Sequence, residues 1–532
     1  MKNLIVLILI IVVVGLPFLF RQDVNTTRSA EETVVIITPH NEAIRYEMEI
    51  AFRQWYLEKT GKTINIDWRT IGGTSEIVRY LQSEYLNSFR IFWENQLGRE
   101  WTPEVRTSFM STSPVDPEAR KIFLDSDVSV GLDMFFGGGS FEFIRQADAG
   151  VLVPWMDADA LQKKFPEALF PAKFAGEVLW DEQGRWMGAV LSSFGIIYNK
   201  YSMERLGIEE PPSQWSDLAD PRLLAEIALA DPSKSGSMNK AFEMIVQEQM
   251  LDKVNEQMSL GLSAEEAEEV GVPMGWASGM SWIQLIAANA RYFTDSATKP
   301  PTDVSQGDSA AGMAIDFYGR FQAEIVSMRG GGNRIRYLTP QGASTLSADP
   351  IAILRGAPNR KNADYFMEFI LSETGQKIWG NQVGTKGGPI KYALRRSPIL
   401  RTMYEDPNKE NLSEPDINPY LDAGDFVYRS DWTGHLFNPM RFVIRVAFID
   451  PHNELRSAWR AILQARERGD HEAAELAFEV FSNLDAINYE NVSGPIRSAL
   501  RSGDKLEEVR LARELADHFR NQYRQARGLA SP

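Results

Sequence analysis

Between Thr33 and Tyr85 the chain twice runs through a β-rich strand, a small polar loop and an amphipathic helix. That rhythm restricts it to a parallel α/β sheet. Thr33–Thr38 (TVVIIT) is a β-branched run of strand length, and Pro39 to Asn41 is a tight loop. From Glu42 a helix carries Ile44, Met48, Ala51, Phe52 and Trp55 on one face and stops at Gly61. Ile64, Ile66 and Trp68 alternate as a second strand, and GGTS at 72–75 opens a helix with Ile77, Val78, Leu81 and Tyr85. Further strands are expected at Val128–Phe136, Gly188–Tyr198, Ala225–Ala230, within Gly307–Gly319 and at Ile351–Leu354. Helices are expected after DPSKSGS (231–237), over Trp276–Ala290 and around Phe366–Trp379. Residues 88–126 read as an aromatic-rich, then Pro-containing insertion. From about 430 the character changes: residues 453–530 are rich in Ala, Arg, Glu and Leu at helical spacing, a helical C-terminal extension.

Composition narrows the function classes. A 532-residue chain with 44% hydrophobic and 24% charged residues has the balance of a two- or three-domain globular protein. The net charge of −16, with no long basic run, excludes a surface that tracks nucleic-acid phosphates. The absence of cysteine excludes disulfides, thiolate metal sites, a Cys nucleophile and a lipid-modified Cys. None of the five histidines stands at HxxxH or HExxH spacing, and there is no G-x-S-x-G elbow. An enzyme on this frame would need paired carboxylates, which the sequence leaves open.

The N-terminus assigns a compartment. Lys2 precedes an apolar run from Leu4 to Phe20, which has the character of an export-signal h-region and the length of a short membrane span. Arg28, two before Ala30, spoils the small-x-small cleavage pattern, which favours an uncleaved anchor over a cleaved signal. The expected location is the periplasm or the outer face of the cytoplasmic membrane, with the folded part starting near Glu32.

Several strand ends run into small polar or glycine residues ahead of a helix. Ligands of parallel α/β sheets sit at carboxyl ends of strands, and helix N-termini present free N–H groups and a positive dipole end. GGTS (Gly73, Thr74, Ser75), GGGS (Gly138, Gly139, Ser140) and PSKSGS (Ser233, Ser235, Gly236, Ser237) are therefore candidate anion cradles. Taken one at a time, such loops are more often plain turns and N-caps; their recurrence raises the case. PSKSGS lacks the GxxxxGK[ST] spacing of a nucleotide phosphate loop. Ser192 and Ser193 are polar residues inside an apolar strand. His40 and Asn41 lie in the first strand–helix loop, and Asp316 and Tyr318 at a strand end, as polar-ligand or metal donors or as a buried hydrogen-bonded pair.

In order along residues 33–400, TPHNEAIRYEMEIAF, WRTIGGTSEIVRYL, DMFFGGGS, GIIYNK, PPSQWSDL, DPSKSGS, QGDSAAGMAIDFYGR, SADPIAIL and FMEFILSETGQKIW resemble the periplasmic ferric-iron-type ABC solute-binding proteins. The resemblance implies the two-lobed type II periplasmic-binding fold, an α/β fold with hinge crossover strands near Leu191–Ile197 and Ser344–Ile353. It implies an anchor and linker over 1–31, lobe 1 over 32–191 and 348–430, lobe 2 over 192–347, and the helical extension over 431–532. Iron-binding members use a first-loop His, a third-strand carboxylate and a Tyr pair. His40 matches the first, Gly137–Gly139 replace the second, and Phe317–Tyr318 keep one phenol of the third. Hard Fe(III) favours several anionic oxygen donors. The expected ligand is thus a small phosphorylated or carboxylated organic anion, captured by hinge closure for an ABC permease in the inner membrane, by a monomer without cofactor or catalysis. Two alternatives stand beside it. One is Fe(III) held by His40, Asp316 and Tyr318. The other is an envelope interaction protein on a recruited binding fold, motivated by the C-terminal extension.

Overall fold

The computed structural model describes residues 30–422 and 426–531. The apolar N-terminal run expected to be a signal or anchor lies outside the described residues. Among those described, no helix is long and apolar enough to cross a membrane.

The chain first builds one sheet. Strand β1 (Glu32–Ile37) leads into helix α1 (Glu42–Thr60), and β2 (Ile64–Arg69) into α2 (Thr74–Ile91). β3 (Met134–Phe136), α3 (Ser140–Ala149), β4 (Leu152–Val153), the hairpin β5 (Lys173–Phe174) and β6 (Glu177–Val178), and β7 (Met187–Ser192) follow. β1 is parallel to β2 and β3, as strand–helix–strand crossovers require. The expected strand over Val128–Phe136 is confined to its last three residues. Gly131 turns the chain at positive φ, and the Asp133 carboxylate accepts the Val35 N–H at 2.7 Å. The aromatic insertion becomes the end of α2 and short helices beyond it, whose Phe89, Trp93, Phe109 and Phe123 form a second core with Ile37 and Phe135 of the sheet.

The stretch expected as one strand over Gly188–Tyr198 is two strands of different sheets. β7 stops at Ser192, and β8 (Phe194–Asn199) starts the second sheet after Ser193 alone. β9 (Ile227–Ala230), α4 (Gly236–Ser259), α5 (Ala264–Asn289), β10 (Ala290–Thr294), β11 (Ala311–Ile315), α6 (Asp316–Val326) and β12 (Ile335–Leu338) complete that lobe, with strand order β10-β9-β11-β8-β12. The chain returns through residues 339–346 to β13 (Ser347–Leu354), α7 (Glu373–Gly380) and β14 (Ser397–Pro398). The first sheet then reads β14-β7-β13-β3-β1-β2, with β4 also against β13. Two α/β lobes joined by adjacent crossing strands are the type II periplasmic-binding architecture.

The rest is helical: α8 (Phe437–Ile444), α9 (His452–Glu467), α10 (His471–Phe481) and α11 (Lys505–Ala530) are its main elements. It packs on α4 and α5 of the second lobe. Trp276 Nε1 donates to the Ile487 carbonyl at 2.9 Å, Gln284 Nε2 to the Phe481 carbonyl at 2.8 Å, and Trp459 Nε1 to Asn289 Oδ1 at 3.1 Å. Each of these buried amides and indoles thus finds its partner across the contact between the extension and α4–α5, as burial demands.

Candidate functional site

The two lobes enclose a cleft of about 880 Å³. Four helix N-termini open onto it, at Gly73–Thr74 (α2), Gly139–Ser140 (α3), Ser235–Ser237 (α4) and Ile315–Phe317 (α6). The N-caps of α2 and α3 are glycines in extended conformation, which offer no side-chain acceptor to the first-turn N–H groups. On α4 the Ser235 side chain caps Met238 N–H. Positive ends of helix dipoles from both lobes therefore meet in one space. The glycines are demanded by the backbone: Gly137 and Gly138 have φ of 97° and 124°. A Cβ on Gly137 would stand 2.6 Å from the His40 ring, and one on Gly138 would stand 2.7 Å from Thr74.

Behind the GGGS loop lies Asp349, on the crossing strand β13. Its Oδ1 accepts the Gly138 N–H at 2.5 Å, and its Oδ2 accepts from Arg396 Nη2 at 2.7 Å and lies 3.2 Å from His40 Nε2. Arg396, buried, also donates to Ser192 Oγ at 2.7 Å and lies over the Phe317 ring at 4.0 Å. Burial alone would raise the Asp349 carboxyl, but the Arg396 guanidinium and His40 outweigh it and hold it well below the usual carboxylate range. His40 is edge-on to Phe136 at 4.6 Å, so its ring is fixed on both sides. A second charged group lines the cleft. Lys240 Nζ lies 2.7 Å from Glu177 and 2.9 Å from Glu243, and the Tyr428 hydroxyl donates to Glu243 at 2.8 Å. Burial works against the Lys240 charge, but the two carboxylates outweigh it and keep the ammonium protonated.

The structure places His40, Gly73, Thr74, Gly138, Gly139, Ser140, Ser192, Ser235, Gly236, Ser237 and Tyr318 on the cleft wall. Five other expected site residues do not line it. Asn41 is the N-cap of α1, its Oδ1 accepting from Ile44 N–H at 3.1 Å. Ser75 faces Arg441, and Ser193 pairs with Thr339 at the crossing. Ser233 donates its N–H to Asp231 within the turn. Asp316 is buried, 3.6 Å from Arg320, and its Oδ1 accepts the Phe317 N–H, so it is a paired core carboxylate. The proposed His40, Asp316 and Tyr318 set is therefore not assembled as a donor cluster, and among the described residues no group of three His, Cys, Asp or Glu could hold a metal. Burial also pushes the Tyr318 phenol up to about 12, against phenolate formation.

The sequence reading missed Asp349, Arg396, Lys240, Glu177, Tyr428 and Phe437. Asp349 had a signal, a carboxylate inside the apolar strand SADPIAIL. The others had none, because their partners stand far away in the chain.

Residues 126–386, a stretch just short of half the chain, match the family model described as bacterial extracellular solute-binding protein. Among curated proteins, an uncharacterized protein of Haemophilus influenzae is 25% identical over 290 residues, 54% of this chain and 71% of that protein. The phosphoglycerate transport regulatory protein PgtC of Salmonella typhimurium is 19% identical over 282 residues, 53% of this chain and 58% of that protein. Among solved structures, the periplasmic binding protein AfuA from Actinobacillus pleuropneumoniae, with exogenous fructose-6-phosphate bound, gives a TM-score of 0.48 at 17% identity over 79% of this chain and 99% of its own. The apo ferric ion-binding protein A of Pasteurella haemolytica gives 0.43 at 12% identity over 69% of this chain and 85% of its own.

Proposed function

With residues 126–386 belonging to the bacterial extracellular solute-binding family, we propose that the chain is the solute-capturing component of an ABC importer that closes its lobes on a small phosphorylated or carboxylated organic anion. Proteins of this family bind small solutes, work with ABC permeases and do not catalyse. The apolar N-terminal run holds the chain, as a monomer, at the outer face of the membrane in this reading.

One observation carries the choice of an anion. Helix N-termini of both lobes converge on the cleft, and two of them are capped by glycines that leave their first-turn N–H groups without a side-chain acceptor. Thr74 and Ser140 open those two helices, and Ser235 and Ser237 bring further hydroxyls to the cleft at the start of α4. Phe194, Phe317 and Tyr318 supply apolar surface for an organic body, which a bare inorganic ion would not need. A relative named for phosphoglycerate transport supports a phosphorylated solute. Against Fe(III), His40 is already engaged with Asp349 and Asp316 with Arg320.

Native mass spectrometry of the protein purified without added ligand, with parallel iron analysis, tests this reading. The expected result is one organic anion of defined mass per chain, lost in Gly138→Val, where a side chain would meet Thr74. Stoichiometric iron would overturn it.

A further inference from the structure

The cleft is not made by the two lobes alone. Tyr428, Ser430, Gly434 and Phe437 line it, and all four lie beyond both sheets and beyond the family-matched stretch. We propose that the C-terminal helical region is a working part of the solute site, in which Phe437 and Arg441 latch the closed lobes. This rests on the solute-binding reading above.

The segment is fixed to lobe 2. Buried Asn239 of α4 donates its Nδ2 to the Phe437 carbonyl at 2.8 Å. Gln247, also on α4, accepts the Arg429 N–H at 3.0 Å and donates to Thr433 Oγ1 at 2.7 Å. The same segment reaches lobe 1. Phe437 and Arg441 are one helical turn apart on α8, so both point the same way. The Phe437 ring lies 4.4 Å from Phe141, in the first turn of α3. Arg441 Nη1 lies 3.5 Å from Glu142 Oε1, also in that turn, and 3.5 Å from Ser75 Oγ, in the first turn of α2. These are the two helices whose glycine caps face the cleft. A second tie lies at the hairpin of lobe 1, where the Tyr428 N–H donates to the Ala175 carbonyl at 2.9 Å.

The long Arg441 contacts suit a latch that must open. A part-buried ion pair and one aromatic contact bias closure while leaving it reversible, and they act beside the buried Lys240–Glu177 pair, which also joins the two lobes. Glu142 and Phe437 both line the cleft beside the N-termini of α2 and α3, so parting of this contact widens the space there.

The chain has no cysteine, so two introduced cysteines carry spin labels without background. Lys121→Cys on lobe 1 and Glu204→Cys on lobe 2 are both exposed. Interlobe distances are read by pulsed electron paramagnetic resonance in the full chain, and in the same chain carrying Arg441→Ala or Phe437→Leu. Phe437→Leu keeps apolar volume and hence the fold. The expected result is a narrow distribution in the parent and a longer, broader one in each variant, the closed-to-open ratio falling about tenfold. Distributions identical in parent and variants overturn the latch. The mass of solute retained by the parent is read separately. A parent that carries no anion but opens in both variants removes the anion reading and leaves the latch standing.

Discussion

Asp349 holds three partners at once: a cleft-loop amide, the His40 ring and the Arg396 guanidinium. Asp349→Asn leaves Arg396 buried without its counter-charge, which costs about 3–5 kcal/mol. The pH dependence has a definite sign. With its carboxyl held below the ordinary range, the folded chain binds fewer protons here than the unfolded chain. The stabilisation is complete above about pH 4, the unfolded carboxylate range, and drains away as pH falls below it. Urea unfolding of parent and variant at neutral pH and near pH 3 checks this: the gap is wide at neutral pH and narrows in acid. His452 behaves differently. Burial lowers its imidazole to about 4, and Nε2 lies 3.0 Å from the Ala287 carbonyl. The unfolded chain takes up that proton near pH 6.5, so stability is lost as pH falls from there to about 4. His452→Gln flattens this part of the stability–pH curve.

The hairpin of α4 and α5 shows why particular elements meet where they do. Gly271, Gly275 and Gly279 recur every fourth residue on α5 and face Val254, Met250 and Val246 of α4. A Cβ at Gly275 would stand 2.2 Å from the Met250 Cα, so only glycine lets the backbones approach this closely. Gly275→Ala forces the helices apart and costs about 1–3 kcal/mol by chemical denaturation. This hairpin carries Asn239 and Gln247, so its spacing also sets where the latch segment docks. The spacing of the glycines is visible in the sequence, but which helix they face is not, because helix periodicity reports a face without naming its partner. The same limit explains the strand at 188–198. Its apolar run reads as one strand, and only the pairing of β7 with β13 and of β8 with β11 divides it between two sheets.

The C-terminal region shares the main hydrophobic core with α4 and α5, through Leu455, Trp459, Phe481 and Tyr523 among others. A chain ending at Asp450 loses that cover and leaves Trp276 and Gln284 without their hydrogen-bond partners. Its unfolding midpoint is expected to fall sharply, with association of the exposed face seen by light scattering. A truncated chain as stable as the parent would show that the region is an independent appendage.

Order of strands and helices and glycine-serine loops ahead of helices were legible in the sequence because they rest on interactions between near neighbours: alternation, 3.6-residue periodicity and turn chemistry; the crossing region came only from the family resemblance. Those same rules brought eleven of the expected residues to one cleft wall. They did not separate Thr74 from Ser75 or Ser192 from Ser193, since which of two adjacent polar side chains faces the ligand space depends on what packs behind it. Nor did they pair Lys240 with Glu177 or Arg441 with Glu142, or place Phe437 on the cleft wall. Those contacts join residues far apart in the chain, and a buried charge reveals its partner only once the fold has removed both from water.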